Sequence, residues 1–247
     1  MRHSHPFRAD DLASLEELYD LKRGVIPMRD VHEGKTGAEY IAVRHDVDDN
    51  QGSFSAAIDM AAWEAERGYR TTYFLLHSAS YWEDHPWFWK EVRIIANLGH
   101  EIGIHANGIA TAIRQGGDPG ALLAAALAEL REKTGLPVIG EVAHGDELCR
   151  TEDGVLRFVN DEMFAECARP ALGAPDRAIE ETNLKLDPKP LATYGLEYDS
   201  NRLPRKYYAS DSGGVWSQPW ETTVAQAEAG DGQLHMLIHP DWWTEAF

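Results

Sequence analysis

Residues 41–48 read IAVRHDVD, a short apolar run that passes directly into two aspartates. Such a run is typical of a buried β-strand. Side chains alternate along a strand, so Asp46 and Asp48 project to one side and the intervening Val47 to the other. Three later segments end in histidine in the same way: HEIGIH at His105, VIGEVAH at His144 and LHMLIH at His239. Acids and histidines at several strand ends predict one site assembled at one rim of a sheet.

The stretches between these strands have the length and periodicity of helices. We predict helices over 9–23, 53–67, 86–97 and 118–134, and strands over 39–46, 71–76, 100–105, 137–144 and 233–239. Ser53 and Asp118 are expected to cap helix starts, and Gly68 and Gly135 to end helices. This alternation indicates βαβ units and a largely parallel sheet with right-handed crossovers.

The predicted fold class is therefore α/β, a barrel-like domain rather than an open doubly wound sheet. The latter would favour a glycine-rich phosphate turn after the first strand, and residues 45–53 are acidic instead. A length of 247 residues fits a single domain, with 1–35 as an N-terminal helical extension. Residues 145–190 are treated as an insertion. A helix over 153–168, a strand within 191–198 and a loop over 202–220 are weaker predictions.

Composition narrows the class of protein. The net charge is −18, with 23 basic against 41 acidic residues, which argues against nucleic acid as a partner. No apolar run is long enough to cross a bilayer, and the start MRHSHPFRADDL lacks the apolar core of a secretory signal. Two cysteines do not make a disulfide framework. A cytoplasmic location without a membrane partner is the expectation, and the oligomeric state is left open.

The acidic strand end predicts a metal site. Two neighbouring carboxylates repel each other unless a cation or a shared proton compensates them. Imidazole with carboxylate suits zinc, with cobalt, nickel, iron or manganese as alternatives. The competing interpretation is an acidic loop with histidines hydrogen-bonded at strand ends. The predicted ligands to one divalent ion are Asp46, Asp48, His105 and His144.

These segments resemble the polysaccharide deacetylase family, the carbohydrate esterases that share the NodB homology domain. The family's first motif is usually T-F-D-D-G, or D-D-V-D in some members, and stands here as RHDVD, residues 44–48. Its second motif, G-H-E-I-G followed by H-x-x-x-H, is matched by GHEIGIH, residues 99–105. Its last strand ends L-x-H, as in LIH, residues 237–239. The resemblance covers roughly 40–110 and 190–243.

The resemblance implies a distorted (β/α) barrel that removes N-acetyl groups from sugars with one divalent metal. It implies that Asp46 or Asp48 is a metal ligand and the other is the general base. By the same resemblance, His105 is a ligand and His239 is the acid that protonates the departing amine. The predicted substrate is an amide-substituted sugar or glycan precursor.

Two positions depart from the family pattern. The second histidine of H-x-x-x-H falls on Ile109, so His144 or His77 replaces it, or both aspartates and His105 hold the metal alone. The usual catalytic aspartate position holds His45. These departures keep two other functions open: hydrolysis of a different C–N bond, such as a formyl amide or ureide, and a catalytically silent carbohydrate-binding or scaffold protein.

Aromatic and hydroxyl-rich segments supply candidate substrate contacts. Trp242 and Trp243 follow the predicted acid His239 directly, and aromatic faces stack on sugar rings. Asp199 lies in the segment YDSN, which offers groups that hydrogen-bond sugar hydroxyls and that also form turns. We therefore predict that Trp242, Trp243 and Asp199 contact substrate.

Overall fold

The computed structural model describes residues 6–21, 24–50, 53–167, 179, 182, 184–229 and 233–247. Within them the strands are β1 (Val25–Ile26), β2 (Tyr40–Val47), β3 (Thr72–Leu76), β4 (Glu101–Ala106), β5 (Gly140–Ala143), β6 (Tyr198–Asp199), β7 (Tyr207–Ser210) and β8 (Gln233–Ile238). The α-helices are α1 (Ala9–Asp20), α2 (Met28–His32), α3 (Ser53–Glu66), α4 (Tyr81–Asp84), α5 (Phe88–Asn97), α6 (Gly108–Gln115), α7 (Pro119–Thr134) and α8 (Trp220–Glu228). The predicted α/β class is confirmed.

All the strands belong to one parallel sheet with the order β6-β5-β4-β3-β2-β8-β7, and β1 adds to the start of β2. The sheet curls into a half-barrel, which is compatible with a distorted β/α barrel. Among the described strands no pairing joins β6 to β7, so the sheet does not close into a complete barrel. Because all strands are parallel, their carboxyl ends meet at one rim, and that rim carries the candidate site.

The core lies on both faces of the sheet. Every residue of β2, β3 and β4 is buried, which explains why these strands read as nearly continuous apolar runs. A small inner cluster fills the curl: Met28, Val31, Tyr40, Ala42, Phe74, Val142, Tyr198 and Leu203. Larger clusters under the helices cover the outer face on both sides of the curl. The inner face carries buried polar side chains both at the rim and at the amino ends of β3 and β4, where Thr72 donates to Glu101 at 2.7 Å.

Local signals set most helix limits correctly. Asp118 caps α7 by accepting the backbone N–H of Ala121 at 2.8 Å, and Gly135 ends that helix in the left-handed conformation with φ of 74°. The helix predicted over 86–97 is confirmed as α5, which begins at Phe88, and the short α4 precedes it as a separate helix. The predicted capping side chain of Ser53 lies outside the described residues.

The helix predicted over 153–168 is wrong for its described part, residues 153–167. Long-range backbone bonds replace helical ones there: the N–H of Arg157 donates to the carbonyl of Cys149 at 2.8 Å, and that of Ala165 to Lys189 at 2.9 Å. The segment contains a short 3₁₀ turn, Asn160–Met163, and buries Phe158 and Phe164 completely. Tertiary packing therefore decides this region, not its local periodicity.

Predictions for the last third of the chain need further correction. The stretch 202–220, expected to be loop, contains strand β7, which pairs with β8 from Tyr207 to Ser210. The strand expected within 191–198 is reduced to β6 after a 3₁₀ turn, Leu191–Tyr194. Helices α2, α4, α6 and α8 were not predicted. Across the described ranges, no helix combines the length and apolar character that a bilayer crossing requires.

Candidate active site

Three of the four predicted ligands meet at the rim of the sheet. Asp48 follows β2, His105 lies in β4 and His144 follows β5, and one ligand atom from each lies within 4.8 Å of the others. Oδ1 of Asp48 is 3.4 Å from Nε2 of His105 and 3.1 Å from Nδ1 of His144. The two ring nitrogens are 3.1 Å apart. We refer to these three residues as the rim triad.

Backbone contacts hold both histidines in place. Nδ1 of His105 donates to the carbonyl of Val142 at 2.9 Å, which leaves Nε2 as the atom that faces the aspartates. His144 donates its N–H to the carbonyl of Ala106 at 2.9 Å, and its own carbonyl accepts from Nδ2 of Asn160 at 2.9 Å. The histidines are therefore positioned before any ligand binds.

The charge of Asp48, together with that of the adjacent Asp46, makes the rim triad attract positive charge. Burial raises the pKa of Asp48, but the hydrogen-bonding and electrostatic effects of His105 and His144 prevail and hold it well below its usual range. Burial lowers the pKa of His105, but the carboxylates of Asp46 and Asp48 raise it overall. A positive charge close to Nε2 of His105 is therefore stabilised, and either a proton or a metal cation supplies it.

The donor set fits a zinc-type ion. Ligands about 2.0–2.1 Å from a tetrahedral ion lie roughly 3.3 Å from one another, close to the separations within the triad. Among the described residues, Oδ1 of Asp48 has no hydrogen-bond partner of acceptable geometry although it is buried. Two imidazoles and one carboxylate also leave a coordination position open for water or substrate. We conclude that the triad suits a catalytic rather than a closed structural ion.

Asp46 lies beside the rim triad. Its Oδ2 is 3.8 Å from Nε2 of His105, and its Oδ1 is 3.4 Å from Nε of Arg44. Arg44 is itself fixed by hydrogen bonds from its guanidinium to Ser200 and Asn201. Within the described part of the chain, the buried Oδ1 of Asp46 has no hydrogen-bond partner. Asp46 therefore places its Oδ2 next to the triad and its Oδ1 next to the guanidinium of Arg44.

His239 faces the triad from the opposite side and is held by a buried carboxylate. Its Nδ1 donates to Oδ1 of Asp211 at 2.7 Å, and its Nε2 is 4.0 Å from Oδ2 of Asp48. Asp211 is fully buried and also accepts the backbone N–H of His239 and, at 2.9 Å, the indole N–H of Trp243. This partner fixes the tautomer with Nε2 pointing toward the site.

The same contacts determine the charge of His239. Burial lowers its pKa, but the hydrogen bond and charge of Asp211, together with Asp46 and Asp48, raise the pKa to about 9. The imidazolium is thus the dominant form at neutral pH. A positively charged histidine with an oriented Nε2–H is a proton donor for a reaction at this rim.

A cleft of about 570 Å³ opens beside the triad and is lined mostly by polar side chains. Asp48 and His144 form part of its wall. The other lining residues are Asp49, Asn50, Leu76, Ser78, Asn107, Thr111, Arg114, Gln115, Asp146 and Glu147. The cleft gives a polar molecule access to two members of the triad.

His77 and Ile109 are placed differently from the family pattern. Nε2 of His77 accepts the backbone N–H of Asn107 at 3.0 Å, so this nitrogen is not available as a ligand. Ile109 is fully buried in α6, and its N–H donates to Oδ1 of Asn160. Of the alternatives for the missing ligand, the structure brings His144 to the triad.

The predicted substrate residues do not line the cleft. Trp243 is 0% exposed, stacks on Phe7 and donates to Asp211, so it offers no face to a sugar. Trp242 is partly buried against the outer core cluster that contains Phe7. Asp199 is buried at 3% exposure and caps a 3₁₀ turn through the N–H of Asn201. Packing and capping replace the predicted substrate contacts at Trp243 and Asp199.

Several supporting residues were not predicted from the sequence. Asn160 donates to Asn107 and to the carbonyl of His144, and Asn107 donates to Asp146. Arg114 binds Asp146 with two hydrogen bonds of 2.6 and 2.8 Å. Asp211 follows strand β7, which was not predicted, so its position at the rim had no sequence signal beyond its residue type.

No protein-family model matches this chain, and no curated protein is significantly similar to it. The chemistry of the rim is therefore argued from its own geometry.

Proposed function

We propose that this protein is a metal-dependent hydrolase that removes an acyl group, N-acetyl in the first instance, from an amino sugar or glycan precursor. The observation that carries the proposal is the arrangement at one rim: the Asp48–His105–His144 triad, the adjacent Asp46 carboxylate, and His239 bound to Asp211. These groups match the requirements of amide hydrolysis, which are a Lewis acid, a base for water and an acid for the departing nitrogen.

Each chain residue has a distinct role. Asp48, His105 and His144 would hold the divalent ion, which would supply Lewis acidity at the acyl carbonyl and at water. Asp46, whose Oδ2 lies 3.8 Å from Nε2 of His105, is the base that takes a proton from water. His239 gives the proton on Nε2 to the departing amine while Asp211 stabilises the imidazolium. Arg44 keeps the Asp46 carboxylate in position.

The substrate class is supported by the cleft and by the sequence resemblance. A wall rich in carboxylate, amide and hydroxyl groups suits a neutral molecule with many hydroxyl groups. The same wall disfavours anionic substrates near the triad, where Asp48 and Asp49 repel them, whereas Asp146 and Glu147 are paired with Arg114. The RHDVD and GHEIGIH motifs resemble those of deacetylases that act on N-acetylated sugars.

The test pairs metal analysis with turnover. Protein loaded with zinc or cobalt is incubated with N-acetylglucosamine oligomers of increasing length, and free acetate is measured with and without a chelator. We expect acetate release that requires the metal and is lost in His105→Ala. His85→Ala is the matched control, because His85 forms a histidine–carboxylate pair with Glu91 outside the rim.

The outcomes separate the alternatives. Metal at the triad without acetate release would exclude the N-acetyl sugars tested and favour a formyl amide or ureide as substrate. Absence of metal at saturating zinc would contradict the proposal and favour a silent scaffold. Activity that persists in His105→Ala would contradict the assignment of the triad.

A further inference from the structure

A second group of potential ligands lies away from the rim triad. Glu141 of β5 and Asp199 of β6 are paired neighbours in the sheet, and Cys167 reaches them from the segment that follows β5. One ligand atom from each lies within 4.8 Å of the others. All three residues are buried, at 0%, 3% and 4% exposure respectively. We call these residues the buried triad.

The buried triad contains a carboxylate that the described residues leave without any partner. Neither Oε atom of Glu141 has a hydrogen bond, although the side chain is completely buried. Asp199 is better supplied, since it accepts the N–H of Asn201 at 2.7 Å and the thiol of Cys167 at 3.3 Å. An unpartnered buried carboxyl costs roughly 1–3 kcal/mol when neutral and more when ionised. A group that binds both Glu141 oxygens would remove this cost.

We propose that the buried triad is a second cation site, which binds a zinc-type divalent ion through Glu141, Cys167 and Asp199. The ion replaces the thiol proton that Cys167 now donates to Asp199, so a thiolate and two carboxylates face one positive ion. The inference stands apart from the proposed hydrolase, because the site shares no ligand with the rim triad.

The donor set selects the kind of cation. A thiolate ligand favours zinc, cobalt or cadmium over magnesium or calcium, which prefer oxygen ligands alone. Ligands about 2.0–2.3 Å from a tetrahedral ion lie roughly 3.5 Å apart, so side-chain shifts of about 1 Å bring these three groups onto one ion. The three ligands carry more negative charge than one such ion neutralises. Burial raises the pKa of both carboxyls, and the charge of Arg44 opposes this shift only in part, so binding of the ion would release protons from the site.

An ion at this site would link the segment predicted as an insertion, residues 145–190, to the sheet. Cys167 belongs to the irregular segment that follows β5, whereas Glu141 and Asp199 belong to β5 and to the edge strand β6 that pairs with it. This segment also supplies Asn160, whose amide holds the carbonyl of His144. An ion at the buried triad is thus a structural bond between the sheet and the segment that supports the rim.

The experiment uses cobalt as the probe, since a cobalt–thiolate bond gives an intense charge-transfer absorption that histidine and carboxylate ligands do not. Full-length protein is stripped with a chelator, titrated with Co²⁺, and assayed for absorption and bound metal. We expect two ions per chain and a thiolate band. Cys167→Ser should abolish the band and bind one ion fewer.

Two matched controls use the chain's own residues. Cys149 is the other cysteine of the chain, is also buried and is not part of the triad, so Cys149→Ser should keep the band. His105→Ala should lose the rim ion and keep the band, which separates this inference from the proposed function. If circular dichroism shows that Cys167→Ser is poorly folded, Glu141→Gln takes its place. This variant removes a ligand without changing the sulfur, and it should also bind one ion fewer.

Three results would overturn the inference. One is a single bound ion at saturating Co²⁺ without a thiolate band, which would mean that the three groups share protons instead. Another is a band that survives Cys167→Ser or disappears in Cys149→Ser. The third is unchanged stoichiometry in folded Glu141→Gln.

Discussion

The two faces of strand β2 carry the same residue types and serve different purposes. On one face, Asp46 leads to the rim triad, where lone pairs on Asp46 and Asp48 have no donors among the described residues. On the other face, His45 binds Glu64 at 2.9 Å, and Glu64 also accepts from Thr71 and Tyr73 at 2.7 and 2.8 Å. We call this second set the Glu64 cluster.

The proposed site and the Glu64 cluster differ in how their carboxylates are satisfied. Every lone pair that Glu64 directs at its neighbours meets a donor, and the side chain is completely enclosed. The nearby His100 is satisfied at both nitrogens, by Ala61 and by Thr71. At the rim, acceptors face one another across a point that the cleft reaches. Unfilled coordination next to an opening, not residue type, distinguishes the reactive face.

Substituting one histidine on each face gives the largest expected difference. His105→Ala should abolish binding of the rim ion and reduce acetate release to background. It removes a ligand whose orientation is fixed by its hydrogen bond to the carbonyl of Val142. His45→Ala should retain the rim ion and lose stability instead. Bound metal, acetate release and thermal unfolding are measured on both variants. Equal loss of rim metal in the two variants would contradict the assignment of metal binding to one face of β2 only.

His239→Ala tests the acid and is expected to have the next largest effect. Turnover should fall about 10²–10⁴-fold, the usual contribution of a positioned proton donor. The rim ion should remain, since His239 lies 4.0 Å from Asp48 and is outside the triad. Acetate release and metal content, measured on the same preparation, distinguish a proton donor from a metal ligand. Loss of metal equal to that in His105→Ala would make His239 a ligand rather than the acid.

Glu64→Ala acts on the structural face. Removing this carboxylate leaves a buried histidine, threonine and tyrosine without their shared acceptor, so we expect the free energy of unfolding to fall by about 3–5 kcal/mol. Urea unfolding followed by circular dichroism measures the change. Asp49→Ala is a control, because its carboxylate accepts from Ser80 at an exposed position. A loss below about 1 kcal/mol in Glu64→Ala would mean that the cluster does not stabilise the fold.

The sequence predicted the residues of the proposed site better than the residues that hold them in position. Alternation along a strand is enough to put Asp46 and Asp48 on one side, and parallel βαβ order is enough to bring His105 and His144 to the same rim. Neither rule identifies Asp211, because it follows β7, a four-residue strand within a stretch read as loop. Asn160 was missed for a similar reason: its position depends on long-range bonds of an irregular segment, which local periodicity does not encode.

The buried tryptophan next to the acid gives the same lesson. Proximity in sequence to His239 suggested that Trp243 stacks on substrate, but a 3₁₀ turn, Pro240–Trp243, carries the indole into the core. There its N–H reaches Asp211, so Trp243 supports the acid indirectly. Whether sequence neighbours share a site depends on the backbone between them, and this turn was not predictable from the letters PDWW alone.

Strand β8 provides a second contrast, between two histidines four residues apart. Burial, with Arg205 and Arg44, lowers the pKa of His235 from 6.5 to about 3. Burial alone would also lower that of His239, but Asp211, Asp46 and Asp48 raise it to about 9. His235 should therefore stay neutral in the fold and His239 should stay charged at the same neutral pH.

The two shifts give opposite pH dependences in metal-free protein. The unfolded chain protonates both histidines below about 6.5, so the contribution of His235 to stability is present above that pH and lost toward pH 3. The contribution of His239 is present below 6.5 and lost as the pH rises toward 9. Each slope is at most about 1.4 kcal/mol per pH unit.

Unfolding free energies of wild type, His235→Gln and His239→Gln are compared across this range, so that all other titrating groups cancel. His235→Gln should flatten only the acid side and His239→Gln only the alkaline side, because each variant removes one of the two shifted groups; an alkaline slope left intact in His239→Gln would place the charge of the rim on another residue.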